Sequence, residues 1–423
     1  MAERVKLPRE IWVLVVAAVV VSLGYGIVAP VLPQFAKSFG VTTTAATVVV
    51  SAFAFMRLTF APVSGSMSNK FGERAMFMLG AVIVAASSAG SGLAHTYVQL
   101  LLARALGGIG SVLFSVASMS LIMKLAPAHA RGRASAAYGS GFLLGSILGP
   151  ALGGVLAPLG HRWPFFIYAM LLVAAALIVL AFVPSAADGH TPRRTRSVRA
   201  QVTPDESGNP QVTLEHAGTR RPPMRVREAL ALRRFWIILL TAFAQGWTNF
   251  GVRVAVVPLL AAGMPGAPAW LPGGALMAYA AGSALSLMRA GYFSDVYGRK
   301  PTVVFGLLIS GVFTVFMGVW DSVAFVLVAS LMGGLGSGAI QPSQQGAVAD
   351  IIGDRPGSKV VSFFQQSADL GQILGPIVAG VMIDYSGYLL AYAFSGAILI
   401  VVAFGWIVGV HEPMRVRRRQ SGL

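Results

Sequence analysis

The chain has 423 residues, 56% of them hydrophobic and only 11% charged, with a mean hydropathy of +0.73 and a formal net charge of +17. Soluble domains carry about a quarter charged residues, so composition excludes an ordinary soluble fold. There is no cysteine, which excludes disulfides and thiolate metal sites, and the six histidines are scattered without ligand spacing, which argues against a metal enzyme.

Apolar runs long enough for a helix to cross about 30 Å of hydrocarbon recur along the whole chain. In order they predict twelve spans, at 11–33, 44–66, 74–94, 97–125, 133–158, 163–184, 236–260, 272–294, 301–320, 322–350, 359–384 and 388–410. The first run follows Arg4, Lys6 and Arg9 as a signal peptide would. It is too long for an h-region and has no small-x-small site before Pro30 and Pro33, so it reads as a membrane helix. The fold class expected is an all-α polytopic membrane protein, with an N-terminal six-helix half (1–184), a cytoplasmic basic linker (185–235), a C-terminal six-helix half (236–414) and a basic cytoplasmic tail (415–423).

The linker holds ten arginines with Pro, Gly and Asp. It reads as a solvated segment with a short hairpin around "PDESGN". Its end, "MRVREALALRRFW", reads as an amphipathic helix lying on an anionic leaflet. With the N-terminus inside, all but five of the 32 Lys and Arg fall on cytoplasmic segments; Lys37 and Arg162 lie outside, and Arg57, Arg104 and Arg253 lie within spans. That asymmetry is the positive-inside rule, so the basicity reports topology and not nucleic-acid binding. It predicts a multi-pass protein of the cytoplasmic (inner) membrane with both termini cytoplasmic.

Three blocks repeat at one common displacement. "RALGGIGS" at 104 faces "SLMGGLGS" at 330, "GSMSNKFGER" at 65 faces "GYFSDVYGRK" at 291, and "GSILGPALGG" at 145 faces "GQILGPIVAG" at 371. The chain therefore reads as two six-helix units of like orientation, the parallel-repeat architecture of a large class of secondary transporters.

With these blocks the sequence resembles the major facilitator superfamily along essentially its whole length, in particular the twelve-span drug:proton antiporter (multidrug efflux) group. "GYFSDVYGRK" resembles the superfamily's loop motif G-x-x-x-D-x-x-G-R-K, which carries Gly291, Asp295, Gly298, Arg299 and Lys300 over as gating residues. The resemblance implies that this loop clasps the neighbouring helix of the other half in the outward-open state. An aspartate near a helix N-terminus would satisfy free N–H groups there. The first-half copy, with Gly65, Asn69, Gly72 and Arg74, has Asn69 for the aspartate and Glu73 for a basic residue, which implies a weaker clamp. "GSILGPALGG" resembles the antiporter motif G-x-x-x-G-P-x-x-G-G, with Gly145, Gly149, Pro150, Gly153 and Gly154. Glycines at this spacing allow close helix approach and the proline bends the helix, giving a hinge or a seam between halves.

Ionised groups inside a membrane need a partner, a wet cavity or a function. Arg104, Gly108, Ser111, Ser115 and Ser118 recur on one helical face; so do Gln245, Asn249 and Arg253, then Ser337, Gln341 and Gln345, and then Gln365, Asp369 and Gln372. The resemblance implies that spans one, four, seven and ten line the cavity, so Ser111, Ser115, Gln245, Asn249, Arg253, Gln341, Gln345 and Gln365 are the candidate substrate contacts. Arg57 and Asp369 lie at similar depth, and the resemblance makes spans two and eleven neighbours. Burial and the arginine act on that carboxyl in opposite senses, and opening the seam to water changes their balance. The pair is thus either a proton switch or a structural latch. Asp369, Arg57 and Arg104 are the candidates for proton coupling.

The leading reading is a proton-coupled antiporter that exports small lipophilic or amphipathic compounds by alternating access. A proton-linked importer or facilitator of a small, anionic metabolite is the alternative, suited by three intramembrane arginines. An enzyme is disfavoured by the lack of a phosphate loop, a triad pattern or a metal set, and a receptor by the intact second loop motif. Expected partners are a small-molecule substrate, protons and the bilayer, with no nucleic acid. The protein would act as a monomer, with the proton gradient and no cofactor as its energy source.

Overall fold

Backbone polar groups find no water in hydrocarbon, so each apolar run closes its own hydrogen bonds as a helix. The computed structural model describes residues 7–127, 130–183, 200–204, 210–214, 222, 224–320, 322–353, 355 and 357–410; the side chains of Asn69 and Asp295 lie outside that description. The first half comprises α1 (Arg9–Val28), α2 (Leu32–Lys37), α3 (Thr43–Phe71), α4 (Glu73–Leu93), α5 (Tyr97–Leu125), α6 (Arg131–Leu156) and α7 (Trp163–Phe182). The predicted first span breaks after Val28 because Pro30 cannot donate to the helix ladder.

Between the halves, β1 (Ala200–Pro204) and β2 (Pro210–Leu214) pair antiparallel with Val202 opposite Val212, a hairpin around "PDESGN". Residues 184–199, 205–209, 215–221 and the basic tail lie outside the described residues. The second half comprises α8 (Val226–Leu230), α9 (Arg233–Gln245), a π turn over Gly246–Val252, α10 (Arg253–Gly263), α11 (Leu271–Tyr297), α12 (Arg299–Phe316), α13 (Val323–Ile352) and α14 (Ser358–Gly409).

Among the described residues eleven helices are long and apolar enough to cross a membrane, and the last of them covers 51 residues. At about 1.5 Å per residue that is more than twice the hydrocarbon thickness. Gly387, at φ 81° and ψ 178°, breaks α14 into two arms. The arms fold back on each other, since Gly375 of the first and Phe394 of the second both pack on Trp247. They are the predicted eleventh and twelfth spans.

The repeat extends to backbone geometry. Gly72 (φ 85°, ψ 149°) stops α3 and Gly298 (φ 96°, ψ 163°) stops α11, both in a conformation that side chains with a Cβ rarely adopt. That turn, and not the end of the apolar run, sets the length of α3, which continues past the predicted residue 66 to Phe71.

The segment leading into the second half differs from expectation. The apolar face of "MRVREALALRRFW" packs on protein: Met224, Ala229 and Phe235 are buried in one cluster with Val360, Trp406 and Val410. Arg355 fixes this elbow by an ion pair to Glu228 at 2.7 Å and a hydrogen bond from Nε to the Pro222 carbonyl at 2.9 Å. The same hydrogen bonding holds the Glu228 carboxyl below the usual range.

Candidate functional site

The two halves meet mainly along two helix pairs, and α10 also touches α2 and α3. In the first, α3 runs antiparallel to the first arm of α14. Thr43 N donates to Asp384 Oδ1 at 2.8 Å, Thr44 N and Oγ1 donate to Oδ2 at 2.8 and 2.7 Å, and Ser51 Oγ donates to the Ile373 carbonyl at 2.7 Å. In the second pair, α6 meets α11, where a Cβ on Gly273 would run into the Pro150 carbonyl and Gly154. These hydrogen bonds between the halves all lie toward the end opposite the loop motifs. At the basic end, which carries those motifs, Gly65, Gly139 and Gly291 have open space beside them. The seam is closed at one end and open at the other.

Asp384 holds the closed end in a way that composition does not suggest. The first N–H groups of a helix lack partners and carry the positive end of its dipole. Asp384 supplies a carboxylate to the start of α3 from the other half of the chain. Removing it should cost about 1–2 kcal/mol, the range of a lost helix cap, which is a 5- to 30-fold shift in population. In the cysteine-free chain, Thr47→Cys reports on this end, because Thr47 is buried beneath Gly380. Asp384→Ala is expected to speed labelling of that cysteine by a membrane-impermeant thiol reagent by about that factor.

Continuing the α3–α14 ladder toward the open end brings Arg57 and Asp369 to neighbouring turns. Asp369 is half-buried and Arg57 is the charged group that acts on it. Among the described residues no ion pair or hydrogen bond joins the two.

The antiporter motif uses two faces of α6. A Cβ on Gly145, Gly149 or Gly153 would strike α1 at Leu23, Gly26 or Ile27, so these three glycines serve packing inside the first half. Gly154 and the Pro150 carbonyl face α11 across the seam. The second half repeats this: Gly371 and Gly375 lie against Phe243 and Trp247, while Gly380 meets Thr44 and Thr47 across the seam.

The loop motifs anchor helix ends within their own halves. Arg74 donates through Nη2 to the Leu180 carbonyl at the end of α7, and Lys300 donates to the Ile407 and Val410 carbonyls at 2.7 and 2.8 Å, so each satisfies orphan carbonyls of a last turn. Asp295 stands in the last turn of α11, not at the start of α12, because the helix runs on to Tyr297. Glu73, whose sign departs from the motif, forms an ion pair with Lys124 at 2.5 Å and is itself buried. Arg299 pairs with Asp350. The repeat displacement sets Glu73 opposite Arg299 and Lys124 opposite Asp350. The first half thus carries the same bridge, inside its own bundle, with its charges exchanged.

The polar stripes separate in the structure. Gln245 and Asn249 are buried and share Ser337: Asn249 Nδ2 donates to Gln245 Oε1 at 2.7 Å and to Ser337 Oγ at 3.0 Å. Arg253 does not join them. The π turn changes the helical phase between them, and Arg253 lies on Tyr279 and donates to Thr314 Oγ1 at 3.3 Å. Gln341, Gln345 and Gln365 are exposed, and Ser111 and Ser115 are half-buried, with Ser115 Oγ bonded to the Ser111 carbonyl. Arg104 is buried on Phe53. Asp384 and Lys124 make contacts that sequence reasoning did not single out. Lys124 was within its reach, since the repeat displacement sets it opposite Asp350.

The family model described as Major Facilitator Superfamily matches residues 14–277 and 269–423. The chain is 25% identical to the quinolone resistance protein NorA of Staphylococcus aureus (strain MRSA252), over 98% of this chain and 100% of that one. It is 24% identical to multidrug resistance protein 1 of Bacillus subtilis (strain 168), over 90% and 92% respectively. Its fold is similar to that of a bacterial homologue of the human lysosomal transporter Spinster, inward-facing and occupied, at TM-score 0.74 and 15% identity over 94% and 95% of the two chains. It is also similar to a D-xylose–proton symporter at TM-score 0.71 and 17% identity over 95% and 98%. A match across both halves, on a fold built from two parallel six-helix repeats, means that this chain belongs to the Major Facilitator Superfamily, a family of multi-pass membrane transporters and not of enzymes.

Proposed function

We propose that the protein is a proton-coupled antiporter of the cytoplasmic (inner) membrane that exports small lipophilic or amphipathic compounds as a monomer, driven by the proton gradient. The single observation that carries this reading is the placement of Asp369, an acid inside the membrane, on the seam beside Arg57 where the closed part of the interface gives way to the open part. Protonation there is coupled to which end of the seam is open. The positive-inside rule puts the basic end, with both termini, in the cytoplasm, so the state described is inward-facing. The open space beside Gly65 and Gly291 is then where the loop-motif contacts of the outward-open state would form. The curated relatives, named for quinolone and multidrug resistance, support export and a lipophilic substrate class.

Inside-out vesicles with an imposed pH gradient test this across a panel of dyes, drugs and metabolites. Accumulation is expected when the lumen is acidic and should collapse with a protonophore. Equilibration that ignores the gradient would remove proton coupling. Accumulation only under the reversed gradient would favour the proton-linked importer.

A further inference from the structure

Two guanidinium groups lie deep in the bundle with no acidic partner among the described residues. Arg104 is 2% exposed, stacks 4.8 Å from the Phe53 ring centre, and leaves Nε and Nη1 without hydrogen bonds. Arg253 is 3% exposed, stacks 4.3 Å from the Tyr279 ring centre, and leaves the same two atoms unpartnered. Phe53 and Tyr279 are related by the repeat displacement, so each half puts a cation on the same aromatic position, supplied by α5 in the first and by the start of α10 in the second.

The titratable groups nearest Arg104 are the phenols of Tyr25 and Tyr168, and those nearest Arg253 are the phenols of Tyr279 and Tyr392. None is a carboxylate. An aromatic face returns only part of what a cation loses on leaving water, so an uncompensated guanidinium at this depth attracts an anion. The two arginines differ in access. Arg253 is enclosed by second-half residues such as Thr248, Met317 and Tyr392. Arg104 lines a small pocket with Tyr25, Leu32 and Phe53 of the first half and Val254 of the second, so that pocket lies on the seam. It has room for about one water, the scale of the end of an anionic group.

We propose that the Arg104 pocket receives the anionic group of the transported compound, so that the substrates are amphipathic organic anions in preference to lipophilic cations. This deepens the efflux reading and rests on it for the compound's direction of travel only. An ionised acceptor meeting unpartnered guanidinium N–H groups forms charge-assisted bonds that a neutral amide cannot match, and a cation is repelled.

The test is binding of one dye scaffold carrying a carboxylate, a carboxamide or a quaternary ammonium, followed by tryptophan quenching on the purified full chain in detergent. The carboxylate is expected to bind about tenfold more tightly than the carboxamide, and the ammonium most weakly. Arg104→Gln should cancel that difference while leaving carboxamide binding within about twofold; Arg104→Lys, which keeps the charge, should retain part of it. The proposal is overturned if the wild type shows no charge preference, or if Arg104→Gln weakens all three dyes equally. It is also overturned if chloride raises thermal stability through Arg104 with no carboxylate preference, because the occupant would then be an inorganic ion. Binding needs no gradient. A carboxylate preference without gradient-driven accumulation would remove the efflux reading and leave this one, and accumulation without the preference would do the reverse.

Discussion

Asp369→Asn is expected to abolish gradient-driven accumulation in inside-out vesicles, down to the level of vesicles without the protein, while the purified variant should stay folded and let substrate equilibrate. Asparagine has nearly the shape of aspartate, so packing along α3 and α14 is kept. What it loses is the exchangeable proton. The other acids of the chain lie in loops or near span ends, so no second carboxyl in the membrane interior can take over. The site is also placed to sense opening, on neighbouring turns with Arg57 and about one turn beyond the bond from Ser51 to Ile373. If Asp369 and Arg57 formed only a structural latch, the variant would transport almost normally, because that amide could still engage the guanidinium. Transport intact in Asp369→Asn would therefore end the coupling assignment.

The second large effect is expected at the exchanged ion pairs. Glu73 is 5% exposed and Lys124 62% exposed at the side chain. Reversing the buried member, Glu73→Arg, sets two cations face to face at the ends of α4 and α5. The expected loss is about 2–3 kcal/mol, between the values for exposed and buried pairs. Lys124→Asp alone should cost less, because its charge reaches water. The double variant Glu73→Arg with Lys124→Asp copies the polarity of Arg299 and Asp350, and should return to within about 0.5 kcal/mol of the parent. Denaturation of the four proteins in one detergent closes the cycle. Additive losses in the double variant would show that the two side chains do not interact.

Hydrophobic runs located the spans because a membrane helix must be apolar over a fixed length whatever its neighbours do. The repeat displacement carried further, since residues it sets opposite each other behave alike: Gly298 turns the chain as Gly72 does, and Gly380 faces the seam as Gly154 does. Other features were not legible. The π turn at Gly246–Val252 leaves no trace in periodicity, so Arg253 looked as though it shared a face with Gln245 and Asn249. The amphipathic elbow after the linker has an apolar face, but such a face reads alike whether lipid or protein covers it. Asp384 reaches Thr43 and Thr44 across most of the chain, and only the folded seam brings a span-end carboxylate to a helix start. The exchanged bridge lay within reach: the displacement that paired Glu73 with Arg299 also pairs Lys124 with Asp350, and opposite signs at both positions are the trace of a retained contact.

Substrate and protons, on this account, move in opposite directions through one seam, and linkage makes that testable from the substrate side. Proteoliposomes at equal pH on both sides, loaded with substrate and with a pH-sensitive dye, are diluted into substrate-free buffer. Substrate leaving down its own gradient should drive protons inward and acidify the lumen, and Asp369→Asn should remove that signal. A lumen that stays at constant pH while substrate leaves, or one that becomes alkaline, would contradict antiport.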